Sequence, residues 1–385
     1  MTPPRTEPPL SLQQVPKLVF GAGAQENAAE HLRKIGAARP FIVAGHSSRA
    51  HAARLHPHAQ IDHSISREPT VGDFERILAA ARACEPDVIV GIGGGSVLDV
   101  AKLIAALVGG TQSLGEVWGI GKLAGRTLPL LCVPTTCGTG SEVSPNAILL
   151  DEESLSKKAV ISPYLVPDAA FVDPVLTLTV PPQITAATGL DALTHCIEAF
   201  ANNFAHPLVD TWAIDGIRHI AAHLALAVRE PRNLNARTHL ALGSLYGGLC
   251  LGPVNTAAVH ALSYPLGSRY HIAHGHANAI LLPHVLRFNL PAAPERYAAI
   301  ALALGADARG AAMATACAGI ARLWQIIEET GLEMRLAALG VPKSAIASLA
   351  ADGLAVTRLM RNNLRSITQR EAEAIYDAAF EGRKD

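Results

Sequence analysis

The chain of 385 residues is long enough for two domains, and its content of 49% hydrophobic and 17% charged residues excludes an intrinsically disordered protein. Its 32 basic and 33 acidic residues leave a formal net charge of −1, which offers no general attraction to nucleic acid or to an anionic membrane. No apolar run reaches the length of about 18 residues that a transmembrane helix needs, and the six cysteines have no paired spacing. We therefore expect a cytoplasmic protein with reduced thiols that binds neither nucleic acid nor membranes.

The first part of the chain alternates apolar runs with segments of helical pattern. Residues 1–14 are expected to be a loose, proline-rich leader that lacks the apolar core of a signal peptide. Four apolar runs are predicted to be strands: Val15–Phe20, Phe41–Ala44, Asp87–Val90 and Leu130–Val133. Strands that alternate with helices predict a parallel sheet covered on both faces, and ligands of such sheets bind beyond the carboxyl ends of the strands.

The second part of the chain has a different texture. After about Pro182, helical periodicity rich in alanine and leucine continues to Asp385, and a loop is predicted at Tyr264–Ala277. The fold class that we predict is α/β with a parallel sheet at about residues 1–182, followed by an all-helical domain at about 183–385. A ligand cleft is expected between the two domains.

A glycine-rich loop follows the strand at Asp87–Val90 and opens a helix. The loop is Gly91-Ile92-Gly93-Gly94-Gly95-Ser96, and it lacks the strict G-x-G-x-x-G pattern because Ser96 takes the place of the last glycine. Residues without side chains let the backbone approach a pyrophosphate, and a helix N-terminus supplies N–H donors. A tight turn without a ligand is the alternative, but the position between a strand and a helix favours phosphate binding.

A second polar loop, Pro134–Glu142, follows the strand at Leu130–Val133. Its threonine hydroxyl groups and exposed N–H groups suit the ribose and nicotinamide end of a dinucleotide. A threonine- and glycine-rich segment is often only a connecting loop. Two such loops at one edge of the same sheet nevertheless favour a shared ligand.

A carboxylate and an imidazole lie four residues apart in the helical part of the chain. Asp191 and His195 project from one face of a helix that is predicted to begin near Thr188 or Gly189. Four further histidines lie downstream, together in one stretch of 17 positions: His260, His271, His274 and His276. One carboxylate and three imidazoles would suit Fe(II), Zn(II) or Mn(II). His219 and His223 have the same spacing of four, and we predict that they form a helix face and bind no metal.

Short motifs occur in a fixed order along the chain: Phe20-Gly21-Ala22-Gly23, Gly93-Gly94-Gly95-Ser96-x-x-Asp99-x-Ala101-Lys102, Pro134-Thr135-Thr136-x-Gly138-Thr139-x-x-Glu142, Gly189-x-Asp191-Ala192-x-x-His195-x-x-Glu198, His260-Ala261-Leu262, His274-Gly275 and Asn278-Ala279. The segment Arg361-Asn362-Asn363-Leu364-Arg365 is similar to an N-P-R signature with leucine in place of proline. Together these motifs resemble the iron-containing (group III) alcohol dehydrogenases over nearly the whole chain.

This resemblance implies a dehydroquinate synthase-like architecture, in which an α/β dinucleotide-binding domain precedes an all-α metal-binding domain. The implied metal ligands are Asp191, His195, His260 and His274. The implied cofactor-binding residues are Gly93, Gly94, Gly95, Ser96, Asp99, Thr135, Thr136, Thr139 and Lys157, of which Lys157 is expected near the nicotinamide ribose. The resemblance also implies a homodimer, NAD or NADP as cofactor, and Fe(II) or alternatively Zn(II) as the metal.

Two departures from the family pattern affect the expected chemistry. Tyr264 stands where many members have a second histidine, so Tyr264 or His271 is the candidate catalytic residue for proton relay. Gly45 stands where NAD-specific members have an aspartate, and a serine pair that includes Ser47 follows it together with Arg49. Loss of that carboxylate removes a repulsion of the 2′-phosphate. We therefore predict that NADPH is accepted at least as well as NADH.

The resemblance implies a metal-dependent, NAD(P)-linked alcohol dehydrogenase or aldehyde reductase. The segment Tyr264-Pro265-Leu266-Gly267 is similar to the branch that acts on hydroxyacids and their semialdehydes. The expected substrate is a primary alcohol or a short ω-hydroxyacid such as 4-hydroxybutyrate, the alcohol of succinate semialdehyde. Arg269 is a candidate for holding its carboxylate, and Asn146 and Ala199–His206 are candidate lining residues. A maleylacetate reductase and an NAD- and zinc-dependent lyase resembling dehydroquinate synthase are the alternatives.

Overall fold

The computed structural model of the protein describes residues 9–66, 68–154 and 156–383. Residues 1–8 of the predicted leader lie outside the described residues, and residues 9–16 belong to no helix or strand. None of the described helices combines the length and the apolar character needed to cross a lipid bilayer.

The described residues form nine strands in two sheets. The strands are β1 (Lys17–Phe20), β2 (Pro40–Gly45), β3 (Gln60–Ile65), β4 (Val88–Gly93), β5 (Gly119–Ile120), β6 (Leu130–Pro134), β7 (Asn146–Asp151), β8 (Ser156–Ile161) and β9 (Ala169–Val172). Six of them form a parallel sheet in the order β1-β9-β6-β4-β2-β3. The other three form a small sheet in the order β5-β8-β7, in which β7 and β8 are antiparallel.

The described residues also form fifteen α-helices: α1 (Ala24–Lys34), α2 (Arg49–Leu55), α3 (Val71–Cys84), α4 (Gly95–Leu107), α5 (Leu114–Val117), α6 (Pro182–Phe200), α7 (Pro207–Arg229), α8 (Leu234–Leu251), α9 (Ala258–Tyr270), α10 (His274–Asn289), α11 (Pro294–Ala303), α12 (Ala312–Thr330), α13 (Ile346–Leu354), α14 (Thr357–Met360) and α15 (Gln369–Glu381). Every helix from α6 onward follows the last strand, so the second half of the fold is helical.

The parallel sheet is covered by helices on both faces, as its apolar strands predict. Ile89 on β4 packs into a core with α3 and α4, whereas its neighbours Val88 and Val90 face a second core with α1 and α2. Successive side chains of a strand point to opposite faces, so a strand that is buried on both faces is apolar throughout. The predicted α/β and all-helical fold class is therefore confirmed. The division into two domains at about residue 182 stays a prediction.

Two boundaries predicted in the helical half are wrong. The helix that carries Asp191 begins at Pro182 rather than near Thr188, because proline is well tolerated at the first helical position. The predicted loop at Tyr264–Ala277 is only the short link between α9 and α10, and α9 continues through Pro265 to Tyr270. A proline inside a helix costs a backbone hydrogen bond. Here packing of the buried α9 against α10 and α13 outweighs that cost.

The threonine-rich loop after β6 is held against the helical half by a contact between two glycines. Gly140 has a φ of +59°, and a Cβ on Gly248 of α8 would lie only 2.7 Å from Gly140 Cα. Only glycine permits such a close approach of two backbones. The contact places the carboxyl edge of the sheet next to α6, α8 and α9, where the candidate metal ligands lie.

Candidate functional site

Four side chains from three helices converge at one point. Asp191 and His195 come from α6, His260 comes from α9, and His274 is the first residue of α10. Asp191 Oδ1 lies 3.9 Å from His195 Nε2, 3.6 Å from His260 Nε2 and 3.8 Å from His274 Nε2. Asp191, His195 and His260 are almost completely buried, while the His274 side chain is 26% exposed and faces the cavity.

Asp191, His195 and His260 each offer a ligand atom within 4.8 Å of the other two, so these three side chains can hold one transition-metal ion. His274 Nε2 lies beside this group, 3.8 Å from Asp191 Oδ1, and can reach the ion as a fourth ligand after a small shift of its side chain. Ligand atoms around a tetrahedral ion with bonds of about 2.1 Å lie about 3.4 Å apart, which is close to the observed spacings. Burial lowers the pKa of His195 to about 4, and burial together with Lys157 lowers the pKa of His274. Both imidazoles are therefore neutral near pH 7, as metal coordination requires.

The site also carries excess negative charge that a cation would balance. Burial would raise the pKa of Asp191, but the surrounding imidazoles of His195, His274 and His260 outweigh burial and lower that pKa, so the carboxylate is ionised. Burial would lower the pKa of His260, but Glu198 and Asp191 raise it to about 10. The same negative groups that favour a proton on His260 also favour a metal ion there, and the two compete for the Nε2 atom.

Two residues whose roles sequence reasoning did not assign hold the ligands in place. The Nδ1–H of His260 donates to Glu198 Oε2 at 2.6 Å, and the backbone N–H of Val259 donates to Glu198 Oε1 at 2.6 Å. The amide of Asn278 donates to Asp191 Oδ1 at 2.7 Å. Glu198 lies one turn after His195 on α6, and Asn278 lies one turn after His274 on α10. That helical spacing was the available sequence signal.

We expect Glu198→Gln to weaken metal binding by about 10- to 100-fold. Glutamine has one acceptor oxygen in place of two, so it can serve either the His260 imidazole or the Val259 amide but not both. Metal affinity is measured by competition with a chromophoric chelator, and a thermal melt shows whether the variant is folded. An affinity equal to that of the wild type would show that Glu198 does not orient His260.

The glycine-rich loop forms the junction of β4 and α4. Gly91 and Gly93 belong to β4, so the strand extends three residues beyond the predicted end at Val90. Gly94 is the N-cap of α4, and no side chain caps that helix terminus. A Cβ on Gly95 would lie 2.4 Å from Thr139 Cγ2, so this position has no room for a side chain. The open helix terminus is suited to an anionic group.

The threonine-rich loop lies beside this helix terminus, but its three predicted cofactor-binding threonines do not all reach the cavity. Thr139 lines the central cavity. Thr135 is buried, and its hydroxyl faces Ser48 at 3.4 Å, while Thr136 packs beside Gly94. Neither Thr135 nor Thr136 is a lining residue of that cavity in the described chain.

Asp99 and Lys102 of α4 tie the glycine-rich loop to its neighbours. Asp99 accepts hydrogen bonds from Ser141 Oγ at 2.6 Å and from the Ile148 amide at 3.0 Å. Burial raises the pKa of Asp99. Lys102 is fully buried and donates to the carbonyl oxygens of Ser144 and Asn146. These bonds fix the orientation of α4 relative to the threonine-rich loop.

One cavity joins the glycine-rich loop to the metal ligands. Its lining from the α/β half includes Gly95, Ser96, Asp99 and Thr139, and its lining from the helical half includes Asp191, His195, His260 and His274. The predicted residue Asn146 also lines the cavity, whereas none of the residues 199–206 does so. A ligand anchored at the start of α4 can therefore extend to a substrate beside the metal ligands.

Three polar side chains close the cavity near His274. Lys157 of β8 lies 2.5 Å from Glu68 Oε1, and its ammonium group lies 5.6 Å from the centre of the Tyr264 ring. The Tyr264 and His274 rings are 6.0 Å apart between centroids. Arg358 Nη2 donates to Tyr264 Oη at 2.9 Å. Sequence reasoning missed Arg358, because nothing in its neighbourhood along the chain marks it as a lining residue.

Two candidates of the helical half lie away from the cavity. His271 is exposed at the carboxyl end of α9, with a φ of +55°. The prediction that Arg269 holds a substrate carboxylate is not supported, because its guanidinium pairs with Asp352 and donates to Ser348. His219 and His223 form a histidine stack together with His239 on α7 and α8.

The residues predicted to select the cofactor lie at the end of β2. A Cβ on Gly45 would lie 3.9 Å from Gly93 Cα, so Gly45 adjoins the glycine-rich loop. Ser47 and Arg49 are exposed there. Ser48 is buried against Thr135, so of the predicted serine pair only Ser47 is open to a ligand.

Known families and solved structures match this fold and this site. The family described as "Iron-containing alcohol dehydrogenase" matches residues 16–174, and "Fe-containing alcohol dehydrogenase family, C-terminal" matches residues 185–380. Long-chain-alcohol dehydrogenase 1 of Geobacillus thermodenitrificans is 39% identical over 321 residues, which cover 82% of this chain and 80% of the relative.

Two solved structures extend the similarity to almost the whole molecule. A crystal structure of 1,3-propanediol oxidoreductase has a TM-score of 0.93 and 31% identity and covers 97% of this chain and 100% of that one. A sulfoacetaldehyde reductase from Bifidobacterium kashiwanohense, solved with NAD⁺, has a TM-score of 0.88 and 27% identity and covers 98% and 100%. The chain therefore belongs to the iron-containing alcohol dehydrogenase family, whose members are oxidoreductases that act on CH–OH groups.

Proposed function

We propose that the protein is a metal-dependent, NAD(P)-linked alcohol dehydrogenase and aldehyde reductase that interconverts a primary alcohol, or a short ω-hydroxyacid, and its aldehyde. The observation that carries this proposal is the single cavity lined by both the open start of α4 and the Asp191, His195, His260 and His274 set. Relatives that share the fold include a long-chain-alcohol dehydrogenase and a sulfoacetaldehyde reductase.

Different residues of the cavity are proposed to bind the metal, bind the cofactor and exclude water. Asp191 and the three imidazoles would hold Fe(II), or alternatively Zn(II), and the bound cation would supply Lewis-acid polarisation of the substrate oxygen while NAD(P) would supply the hydride chemistry. The start of α4 binds the pyrophosphate, and Thr139 positions the part of the cofactor that extends into the cavity. Lys157 holds the nicotinamide ribose. The buried walls around His195 and His260 exclude bulk water from the reacting atoms.

Of the two candidates for proton relay, Tyr264 and His271, we propose Tyr264. Its hydroxyl group accepts a hydrogen bond from Arg358, and its ring lies next to the ligand His274 in the cavity wall. His271, the other candidate, is exposed outside the lining. In aldehyde reduction Tyr264 would donate its phenolic proton to the substrate oxygen, and in alcohol oxidation its tyrosinate form, beside the Arg358 guanidinium, would accept the proton of the substrate hydroxyl group.

The proposed reaction differs from its two alternatives in measurable ways. Protein purified without oxygen is loaded with Fe(II) or Zn(II) and tested on a panel of aldehydes with NADH and NADPH. We expect metal-dependent oxidation of the reduced cofactor that a chelator abolishes. A maleylacetate reductase would act on maleylacetate and keep its activity in the presence of a chelator. A lyase resembling dehydroquinate synthase would leave the absorbance of the reduced cofactor unchanged overall.

NADPH is proposed as a cofactor at least as good as NADH. Gly45 brings no carboxylate to the end of β2, and Ser47 and Arg49 are exposed there to meet a 2′-phosphate. A residue at position 45 meets only ordinary contacts, since its Cβ would lie 3.5 Å from Ser48 Oγ. A Cβ at this position therefore needs no shift of its neighbours, and a thermal melt of each variant shows whether the longer side chain is accommodated.

We expect Gly45→Asp to shift the ratio of kcat/KM for NADPH and NADH at least about tenfold toward NADH, because its carboxylate repels the 2′-phosphate and accepts a hydrogen bond from the 2′-hydroxyl group. Gly45→Asn has the same shape without the charge and serves as the matched control. A more than tenfold preference of the wild-type enzyme for NADH, or an equal shift in both variants, would contradict this assignment.

A homodimer is proposed through the outer edge of β1. This strand pairs only with β9 in the described sheet, and Leu18 on it is 42% exposed. An unpaired strand edge is a template for a second copy. Light scattering should give twice the mass of the chain, and a monomer at micromolar concentration would contradict the proposal.

A further inference from the structure

The cavity wall contains an arginine whose charge is not balanced. Arg358 is half-buried on α14, and its side chain forms no ion pair with any described residue. The other cations of this region are neutralised: Lys157 pairs with Glu68, and Arg269 pairs with Asp352. A partly desolvated charge without a partner is costly to the folded protein. Such a cost is expected where a ligand supplies the missing charge.

Arg358 is also placed to meet a molecule that reacts at the metal site. Its guanidinium group lines the same cavity as His260 and His274. Tyr264 lies between the guanidinium and His274 and contacts both, because it accepts a hydrogen bond from Arg358 and its ring adjoins the imidazole. A short substrate with its hydroxyl or carbonyl oxygen at the metal ligands would therefore present its far end to Arg358.

The guanidinium has free hydrogen-bonding capacity. Among the described residues, one of its five N–H groups is used, by the hydroxyl group of Tyr264. The Tyr264 contact fixes the side chain, and the remaining donors form a planar fork suited to two oxygens of one anion. A neutral substrate would leave the Arg358 guanidinium desolvated and without a counter-charge, and this cost would favour anionic over neutral substrates.

We propose that Arg358 binds a carboxylate or sulfonate group at the far end of the substrate. The protein then acts preferentially on short ω-hydroxyacids or ω-hydroxysulfonates and their aldehydes. This inference rests on the proposed alcohol dehydrogenase function. It replaces Arg269 by Arg358 as the residue that recognises the substrate anion.

The test compares three variants on charged and neutral alcohols. Arg358→Gln removes the charge, and Arg358→Lys keeps the charge but loses the fork. Arg361→Gln is the matched control, because Arg361 is three residues further on, is exposed, and lies over the Phe204 ring outside the cavity. The substrates are 4-hydroxybutyrate, 2-hydroxyethanesulfonate and 1-butanol, each with the metal-loaded enzyme and NAD(P)⁺.

Arg358→Gln removes the hydrogen bond to Tyr264 as well as the anion site, so some activity is lost on every substrate. We expect the loss of kcat/KM to be about 30-fold larger for the anionic substrates than for 1-butanol, and this difference to arise chiefly through KM. Arg358→Lys should be intermediate, and Arg361→Gln should match the wild type. The anion with the higher kcat/KM in the wild type, carboxylate or sulfonate, identifies the natural tail. An equal loss on 1-butanol would assign Arg358 to the positioning of Tyr264 alone and overturn the inference, as would an unchanged kcat/KM for both anions.

A binding measurement separates this inference from the proposed reaction. Calorimetric titration of the metal-loaded protein with 4-hydroxybutyrate and with 2-hydroxyethanesulfonate, without NAD(P), involves no turnover. Affinity for at least one anion that falls about 30-fold in Arg358→Gln and stays unchanged in Arg361→Gln would support the anion site even if no alcohol were oxidised. Absence of binding of both anions to the wild type, or equal binding to wild type and Arg358→Gln, would overturn it. Thermal melts show that the variants are folded.

Discussion

Replacement of His260 by alanine is expected to abolish stable metal binding and to lower kcat/KM for the alcohol by at least about 1,000-fold. His260 Nε2 lies 3.6 Å from Asp191 Oδ1, and its other nitrogen is fixed by Glu198. The variant loses one of four ligands and leaves Glu198 without its imidazole partner. Metal content after dialysis and initial rates with added Fe(II) measure the two effects.

His223→Ala is the matched control for this experiment. His223 also lies four residues from another histidine, but it stacks on His239 at the surface of α7 and α8, outside the cavity. We expect its metal content and activity to equal those of the wild type. Full activity in a folded His260→Ala variant would contradict the metal role of the site.

Gly95→Ala is expected to weaken NAD(P) binding by about 100-fold, because overpacking at such a contact costs up to about 3 kcal/mol. The new Cβ would lie 2.4 Å from Thr139 Cγ2 and 2.9 Å from Thr139 Cβ, so the whole threonine must move. Its movement displaces the threonine-rich loop from the start of α4, where the pyrophosphate is expected. Quenching of protein fluorescence or calorimetry measures the dissociation constant.

Two comparisons make this result specific. Gly125→Ala adds a methyl group where no heavy atom lies within 4 Å, so its affinity for NAD(P) should equal that of the wild type. Thr139→Ala in the Gly95→Ala background removes Cγ2 and Oγ1 and should restore part of the affinity. An unchanged dissociation constant in Gly95→Ala would show that the cofactor does not depend on the packing of this junction.

The sheet could be predicted from the sequence because each of its buried strands is a short, continuous apolar run. The segments around Ile89 and Leu131 are apolar on both faces, and local pattern alone identifies them. The end of β4 was missed, since Gly91 and Gly93 read as loop residues. Their conformation is set by pairing with β6 on one side and β2 on the other, which is not a local property.

The helical boundaries depend on packing that local pattern does not contain. Pro265 predicts a break, yet α9 continues through it because the buried helix packs against α10 and α13. As a result Tyr264 lies on a helix with His260, one turn further along, rather than in a loop. This placement directs both side chains toward the same cavity.

Only those residues of the site that form a recognisable sequence motif could be predicted. Asp191 and His195 share a helix face, and the family resemblance singled out His260 and His274 from four nearby histidines. Arg358 could not be found in this way, since it reaches the cavity and donates a hydrogen bond to Tyr264, 94 positions earlier, only in the folded chain. Tertiary folding, not spacing, brings these two side chains together.

Anomalous X-ray diffraction from crystals grown without oxygen in the presence of Fe(II) tests the central claim most directly. We predict one anomalous peak that lies within about 2.0–2.3 Å of a carboxylate oxygen of Asp191 and of Nε2 of His195, His260 and His274. Data collected at the iron and zinc absorption edges identify the metal. Absence of a peak among these four side chains, or a metal bound elsewhere in the molecule, would contradict the account.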